Sequence, residues 1–158
     1  MDAKAKQDLL RMIPYGVFVV GVKVGDDVNA FLASWLSQCS FDPPMVMMGV
    51  RKDSLSHQMI ESGRVFVVNF MAKNQQGLAE PFFKPTRRVG DKLNDVPFHP
   101  GKNGAPILDE AIGYVECNVV EIAQGGDHSV VIGEVTDAAI QAEGQLLTLA
   151  DAGWHYGG

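Results

Sequence analysis

Apolar runs separated by short polar turns follow one another along most of the chain. Six of these runs are rich in β-branched and aromatic residues, which favour extended strands. They span residues 17–24, 28–41, 45–50, 64–71, 111–123 and 128–140. The last two runs are long and are joined by a Gly-Gly turn, which is typical of an antiparallel hairpin. A mainly β fold with six or seven strands follows, and strands of this density predict a closed barrel.

Three segments have the pattern of short helices, and the shortest pattern is at residues 74–83. Residues 1–13 combine charged positions with a short apolar face. That face consists of Leu9, Leu10, Met12 and Ile13. Residues 53–63 form the second predicted helix, which Asp53 or Ser54 caps and Gly63 ends. Its inward-facing residues are expected to be Leu55, Met59 and Ile60.

The length of the chain suits a single domain over residues 1–158. One stretch, from Lys84 to Leu108, contains several prolines and has no periodic pattern, so we expect an irregular loop there. Loops of that length are usually functional or lie against a partner. It could cover a ligand or cross to another subunit.

Charge and composition narrow the possible functions. The net charge of −6 provides no basic face for nucleic acid or for an anionic membrane. Cys39 and Cys117 are far apart in sequence and form no CxxC pair, so we expect free thiols in a reducing compartment. No apolar run reaches the roughly 20 residues of a membrane helix, and the charged N-terminus does not resemble a signal peptide. A cytoplasmic location is the default expectation.

Common catalytic motifs are absent from the sequence. It contains no GxGxxG, no GxxxxGK[ST] and no GxSxG. The histidines are His57, His99, His128 and His155, and none has a partner at zinc-site spacing. We therefore expect no metal site, and any chemistry must depend on another group.

The predicted strand at 28–41 contains an unusual number of small polar residues, in the segment 34–40. Small side chains would let a flat polar ligand such as a flavin ring approach the backbone, where N–H and C=O groups can match its edge. Trp35 could stack on or beside such a ring. Alternatively, the serines form the solvent-facing side of an ordinary strand.

A candidate anion site follows one strand later. Arg51 and Lys52 directly precede the predicted helix that begins near Ser54 and carries Ser56. The free N–H groups and positive dipole of a helix N-terminus favour a phosphate, and a guanidinium strengthens such a site. The alternative is a solvated turn in which Ser54 only caps the helix.

Several longer stretches together resemble the flavin reductase-like, FMN-binding split-barrel family. They are ASWLSQCSFDPPMVMMGV, RKDSLSHQMIESGRVFVVNF, GDKL, GAPILDEAIGYVECNV, GGDHSVVIGEV and HYGG. They cover nearly the whole chain in the order found in the family. The first stretch is also similar to the flavin reductase module of diflavin flavoproteins and rubredoxin-linked proteins.

The resemblance implies a Greek-key split β-barrel with a few helices. It also implies a homodimer that holds FMN, with FAD as the alternative cofactor, near the subunit interface. It implies that the isoalloxazine is held by Ser34, Trp35, Leu36, Ser37, Gln38, Cys39 and Ser40. It further implies that the ribityl phosphate is bound by Arg51, Lys52, Ser54 and His57. Cys39 is given no chemistry of its own.

By the same resemblance, Lys92 borders the cofactor, and His155 and Tyr156 pack near it from the chain's last residues. His128 is implied as the catalytic residue, on the side where nicotinamide or an electron acceptor binds. A histidine at this point could instead be a strand-entry residue bonded to a carbonyl.

The implied activity is hydride transfer from NAD(P)H to flavin, with electrons passed to free flavin or a partner acceptor. The flavin carries this chemistry, and the protein supplies orientation and electrostatics. Three alternatives stay open: an FMN-binding electron carrier without NAD(P)H activity, a related split barrel that binds pyridoxal phosphate or haem, and a ligand-free dimeric scaffold.

Overall fold

The computed structural model describes all 158 residues, Met1–Gly158. Its helices are α1 (Ala3–Arg11), α2 (Leu55–Gly63), α3 (Gln76–Ala79), a 3₁₀ helix (Glu80–Phe83) and α4 (Leu149–Ala152). Its first strands are β1 (Phe18–Val24), β2 (Asp27–Ala33), β3 (Leu36–Ser40), β4 (Met45–Arg51) and β5 (Val65–Phe70). The others are β6 (Arg88–Val89), β7 (Lys92–Leu93), β8 (Val96–Pro100), β9 (Pro106–Leu108), β10 (Gly113–Gln124) and β11 (His128–Ile140). The mainly β class is confirmed.

Seven antiparallel strands form the main sheet, in the order β2-β1-β5-β10-β11-β4-β3. Its two edge strands, β2 and β3, are consecutive in the chain and are separated only by Ser34 and Trp35. A flat sheet would hold its edges about 29 Å apart at a strand spacing of about 4.8 Å. Three Cα–Cα steps reach at most about 11 Å, so the sheet must curl until its edges meet at this end.

The expectation of a closed barrel is wrong, because β2 and β3 make no hydrogen bonds to each other. Residues 28–41 are also two strands and not one, interrupted at Ser34 and Trp35. The curled, open sheet agrees with the split barrel that the family resemblance implies.

Strand β1 is buried on both faces, which explains its nearly continuous apolar sequence. Val17 and Val19 belong to one buried cluster, whereas Val20 and Val22 belong to another. Helix α2 packs on the second cluster through Ile60 and its neighbour Met59. The two faces of β1 thus support two separate buried clusters.

The segment 84–108 is not irregular, as the sequence suggested, but forms a second sheet of four short strands, β6-β7-β8-β9. It buries Leu93, Val96, Phe98 and Leu108 in the first cluster. The fully buried amide of Asn69 connects it to the main sheet. Its Nδ2 donates to the carbonyls of Val19 (3.0 Å) and Pro106 (3.2 Å), and its Oδ1 accepts from Leu108 N (2.8 Å).

Helix α2 agrees with the sequence at its start and differs at its end. Ser54 is the N-cap and accepts from His57 N at 3.1 Å. Leu55, expected to face inward, is 62% exposed because the helix turns this position to solvent. Arg64, with φ 58°, ends the helix in place of Gly63. Gly63 is needed for a different reason, since a Cβ there would lie 1.8 Å from the carbonyl oxygen of Lys23.

The remaining expectations concern the thiols and the termini. Both cysteines are free, Cys39 on the surface and Cys117 in the core, where burial above all raises the pKa of its thiol to about 12. Helix α1 buries none of its residues, so the apolar face predicted for residues 1–13 is open to solvent. None of the helices is both long and apolar enough to cross a membrane.

Replacing Gly63 tests the contact between α2 and β1. Gly63→Ala should lower the free energy of unfolding by about 1–3 kcal/mol, because the new methyl group meets a backbone carbonyl that has little freedom to move. Urea denaturation followed by circular dichroism measures the change. Gly77→Ala is the matched control, because a Cβ there meets nothing within 4 Å. An equal loss in both variants would contradict the close-contact explanation.

Candidate functional site

The interruption between β2 and β3 is held in place by one backbone hydrogen bond. Gly49 N, on β4, donates to the carbonyl oxygen of Trp35 at 2.9 Å. The indole lies directly over Gly49, where a Cβ would be 2.9 Å from Trp35 Cε3. The absence of a side chain on β4 therefore lets Trp35 lie flat across the strand, and the chain opens a cavity beside it.

That cavity has a volume of ≈ 370 Å³ and four walls. The interruption supplies Ser34 and Trp35, and the β4–α2 junction supplies Arg51, Ser54 and Ser56. The third wall is the end of the 3₁₀ helix, at residues 82–83. The fourth is the C-terminal segment, residues 154–156. An aromatic cavity with polar groups at one end is the usual form of a small-molecule site.

A larger groove of ≈ 660 Å³ is lined by residues between Gly77 and Asp95. It is open to solvent and has a single apolar residue, Val89, in its lining. It therefore offers less apolar surface than the smaller cavity for burying a flat ligand. The smaller cavity is the better candidate because it is more enclosed and mostly apolar.

The polar end of the cavity is the N-terminus of α2. Ser54 Oγ donates to the carbonyl of Arg51 at 2.8 Å and caps the helix. Ser56 Oγ accepts from Asn29 Nδ2 at 3.0 Å, which leaves its own proton available to a ligand. Because the first N–H groups of a helix have no partner within it, this end can bind an anion.

Arg51 adds a positive charge to this end, and Asp53 holds that charge in place. Arg51 Nε lies 3.0 Å from Asp53 Oδ1, and Nη2 lies 2.6 Å from Oδ2. The hydrogen bond to Arg51 is the main reason that the pKa of Asp53 is lowered, and the same bond raises the pKa of Arg51. Both side chains are more than half exposed, so solvent screens the pair and an incoming anion can compete with Asp53.

His128 begins β11 and is paired in register with Arg51 on β4. Its Nδ1 is 2.8 Å from Asp127 Oδ1, and its Nε2 is 2.7 Å from the Tyr156 hydroxyl. Its ring centroid is 4.7 Å from that of Trp35. His128 does not itself line the cavity, but it contacts two residues that do.

His57 is buried behind the cavity wall and is not part of its lining. Its Nε2 lies 2.8 Å from Ser129 Oγ, so it joins the first turn of α2 to β11. Its Nδ1 lies 3.5 Å from Glu61 Oε2 and makes no hydrogen bond. The structure thus places His57 between the elements that form the site.

Seven other residues of the predicted site lie outside the lining of the cavity, so the structure does not bring the whole segment 34–40 together around it. Residues 36–40 form edge strand β3, which leads away from the cavity, and three of their side chains are exposed. These five are Leu36, Ser37, Gln38, Cys39 and Ser40. Lys92 lies on β7 in the second sheet, with its side chain exposed.

Lys52 also points elsewhere, because its Nζ donates to the carbonyl of Gly125 at 2.9 Å. The predicted residues that do meet around the cavity are Ser34, Trp35, Arg51, Ser54, His155 and Tyr156. The cavity therefore combines part of the serine-rich segment with part of the predicted anion site, and fewer residues contribute than the sequence predicted.

Sequence reasoning missed four aromatic residues of the cavity, Phe31, Phe82, Phe83 and Trp154. Phe83 and Trp154 pack edge to face with ring centroids 4.6 Å apart. They come from segments about 70 residues apart, which nothing local in the sequence connects. The only local signal was the density of aromatic residues in EPFF and GWHY.

The arrangement suits a flat ring with an anionic tail. Trp35 and the other aromatic side chains of the cavity can bury the ring, and the N-terminus of α2 together with Arg51 can bind the anion. The buried indole N–H of Trp35 has no hydrogen-bond partner within the protein. These donors fit the ring and phosphate of FMN, because both present several acceptors.

Comparison with known proteins gives a consistent result. A family model described as "Flavin reductase like domain" matches residues 10–157. The chain is 32% identical over 95% of its length to a high molecular weight rubredoxin of Moorella thermoacetica, of which it spans 65%. It is 34% identical over 90% of its length to a putative diflavin flavoprotein of Synechocystis, of which it spans only 24%.

Solved structures with the same architecture include two flavin-binding proteins. NADH:FAD oxidoreductase SgcE6 of Streptomyces globisporus, in complex with NAD and FAD fragments, is 30% identical, with a TM-score of 0.77 over 93% of this chain and 90% of that chain. An FMN-binding protein of Thermus thermophilus is 27% identical, with a TM-score of 0.74 over 82% and 72%.

Proposed function

The chain belongs to the flavin reductase like domain family, and we propose that it is a flavin-linked oxidoreductase that binds FMN in the cavity beside Trp35 and reduces it with NAD(P)H. The observation that carries this proposal is the continuity of the cavity. One enclosed space runs from an aromatic wall to a helix N-terminus with an arginine, which suits a flavin ring joined to a phosphate.

Each wall has a separate task in this proposal. Trp35 and Phe82 bury the ring and exclude water, while Ser34 leaves room for it to approach the backbone. Arg51, the hydroxyl of Ser56 and the free N–H groups at the start of α2 bind the phosphate, and Ser54 caps that helix. FMN has the two parts that these groups suit, a flat ring and a phosphate. When bound, the flavin supplies the atom that accepts hydride and releases electrons again.

His128 serves the reacting side in this proposal. Its ring lies beside Trp35, so it adjoins the cavity without occupying it. Its contact with Trp35 puts it near the wall that would bury the ring, where it can contact a second ligand such as a nicotinamide amide. A role in binding and orientation is sufficient, because hydride transfer needs no separate acid from the protein.

The electron acceptor is free flavin or a partner protein. The rubredoxin and diflavin relatives are longer than this chain, which agrees with electrons passing from this module to another redox centre. The main alternative is an electron carrier that NAD(P)H does not reduce. One observation favours it: Tyr156 already covers Nε2 of His128, so a donor would have to displace it.

We also propose a homodimer. The apolar side chains of α1 stand open, with Leu9 64% and Met12 74% exposed, and α1 lies beside the C-terminal segment that lines the cavity. A second copy would cover this surface next to the site. Sedimentation should therefore give about twice the chain mass of 17.1 kDa at low micromolar concentration. A species of 17.1 kDa alone would contradict the dimer.

Two neighbouring cations separate phosphate binding from general charge effects. Arg51→Ala should weaken FMN about fivefold more than riboflavin, since only FMN has the phosphate and the exposed position of Arg51 keeps the effect modest. Lys52→Ala removes the same charge from a side chain that bonds Gly125, and it should change both affinities alike. Titration of flavin fluorescence measures them. Equal weakening of both ligands by Arg51→Ala would place the phosphate elsewhere.

Anaerobic reduction tests the function itself. The FMN-loaded protein should lose its flavin absorbance when NADH or NADPH is added. His128→Ala should keep the flavin and slow this reduction by about tenfold, as expected for the loss of one positioned contact. Retained flavin that neither nucleotide bleaches would support the electron carrier instead. A wild-type rate in the variant would remove His128 from the reaction.

A further inference from the structure

Three side chains form a bonded series at the start of β11. Asp127 Oδ1 lies 2.8 Å from His128 Nδ1, and the Tyr156 hydroxyl lies 2.7 Å from His128 Nε2. Both ring nitrogens of His128 are therefore engaged, and its side chain is only 15% exposed. The proposed function needs this ring at the edge of the cavity but does not explain what holds it there.

The chemistry of the two partners fixes the protons on the ring. The carboxylate of Asp127 can only accept, and its pKa is lowered, chiefly by the hydrogen bond to His128. In the neutral imidazole Nδ1 must then carry the proton, and Nε2 has a free lone pair. Burial is the main cause that raises the pKa of the Tyr156 phenol, so the phenol stays protonated near neutral pH and donates to Nε2.

Of the two partners, Tyr156 has the better protected bond. The side chain of Asp127 is 95% exposed, so water competes with it for Nδ1. Tyr156 is 41% exposed, and its ring packs on Trp35 with centroids 5.0 Å apart. Free neutral histidine prefers its proton on Nε2, and a phenol that donates to Nε2 favours the other tautomer, Nδ1–H.

The backbone conformation after Tyr156 allows the C-terminal segment to pack closely on Trp35. Gly157 has φ +86°, and a Cβ there would lie 2.7 Å from Trp35 Cζ2. Its carbonyl accepts from Arg11 Nε at 3.4 Å, which connects the C-terminal segment to α1. The segment thus lies against the indole and fixes where the phenol points.

From this geometry we infer that Tyr156 is a positioning residue for His128. Its hydroxyl holds the imidazole in the Nδ1–H tautomer and in one orientation against Trp35, beside the cavity. The inference rests on the proposed function for its kinetic consequence only, because the tautomer is a property of the protein without flavin.

The first test reads the tautomer directly. Long-range ¹H–¹⁵N spectra of ¹⁵N-histidine-labelled, flavin-free protein, at a pH about two units above the ordinary histidine pKa, show which ring nitrogen of His128 is protonated. The wild type should show mainly Nδ1–H, and Tyr156→Phe should shift the signal towards Nε2–H. Tyr15→Phe is the matched control, because Tyr15 also neighbours Trp35, at 6.4 Å between centroids, but its hydroxyl does not bond His128.

A double-mutant cycle tests the kinetic consequence. In the FMN-loaded protein, Tyr156→Phe should slow reduction by NADH about threefold to tenfold, and it should have no further effect once His128→Ala is present. An equal slowing in both backgrounds would show that Tyr156 acts on the flavin or the donor directly, and would overturn the inference. So would an unchanged tautomer in Tyr156→Phe, or the same shift in Tyr15→Phe. If NADH reduces no variant, the proposed function fails while the spectra still decide the role of Tyr156.

Discussion

The structure depends on a link of two residues between the two edges of one sheet. Since β2 and β3 are consecutive, Ser34 and Trp35 force seven strands to curl until the edges meet, and the bond from Gly49 N to Trp35 O holds that meeting point on β4. The curl leaves a gap at the interruption, because backbone that leaves one strand does not yet pair with the next. The cavity is that gap.

The register between β4 and β11 then decides which groups reach the cavity. Antiparallel pairing puts His128 opposite Arg51, so the start of one strand lies at the end of the other, where α2 begins. The buried bond between His57 and Ser129 fixes α2 against the same strand. A slip of one residue would turn His128 to the opposite face and separate it from Trp35. The anion site and His128 therefore lie close together because of the pairing between β4 and β11.

The sequence predicted those features of the structure that depend on residues close together in the chain. The strands were visible as β-branched runs, and Ser54 as a cap, because both depend on near neighbours in sequence. The interruption at Trp35 was not visible, since the apolar pattern continues across it and only the distant Gly49 requires it. A strand as short as Lys92–Leu93 has no hydrophobic period that a sequence pattern could reveal. It is stabilised by the apolar side chains that its sheet buries in the core. For the same reason Phe83 and Trp154 could not be paired in advance.

An open sheet has two free edges, and this chain protects them differently. The β2 edge is covered, since Thr86 Oγ1 donates to the carbonyl of Ala30 at 2.6 Å and the 3₁₀ helix packs nearby. The β3 edge is exposed, and its polar side chains bond carbonyls of their own strand: Ser37 Oγ to Gln38 O at 3.0 Å, and Gln38 Nε2 to Ser40 O at 3.1 Å. A short edge strand with a bulge disfavours pairing with another sheet, and β3 has five residues and a register irregularity between Gln38 and Ser40. The serine-rich sequence thus has two explanations along its length, because Ser34 leaves space at the cavity whereas the residues after Leu36 protect an edge.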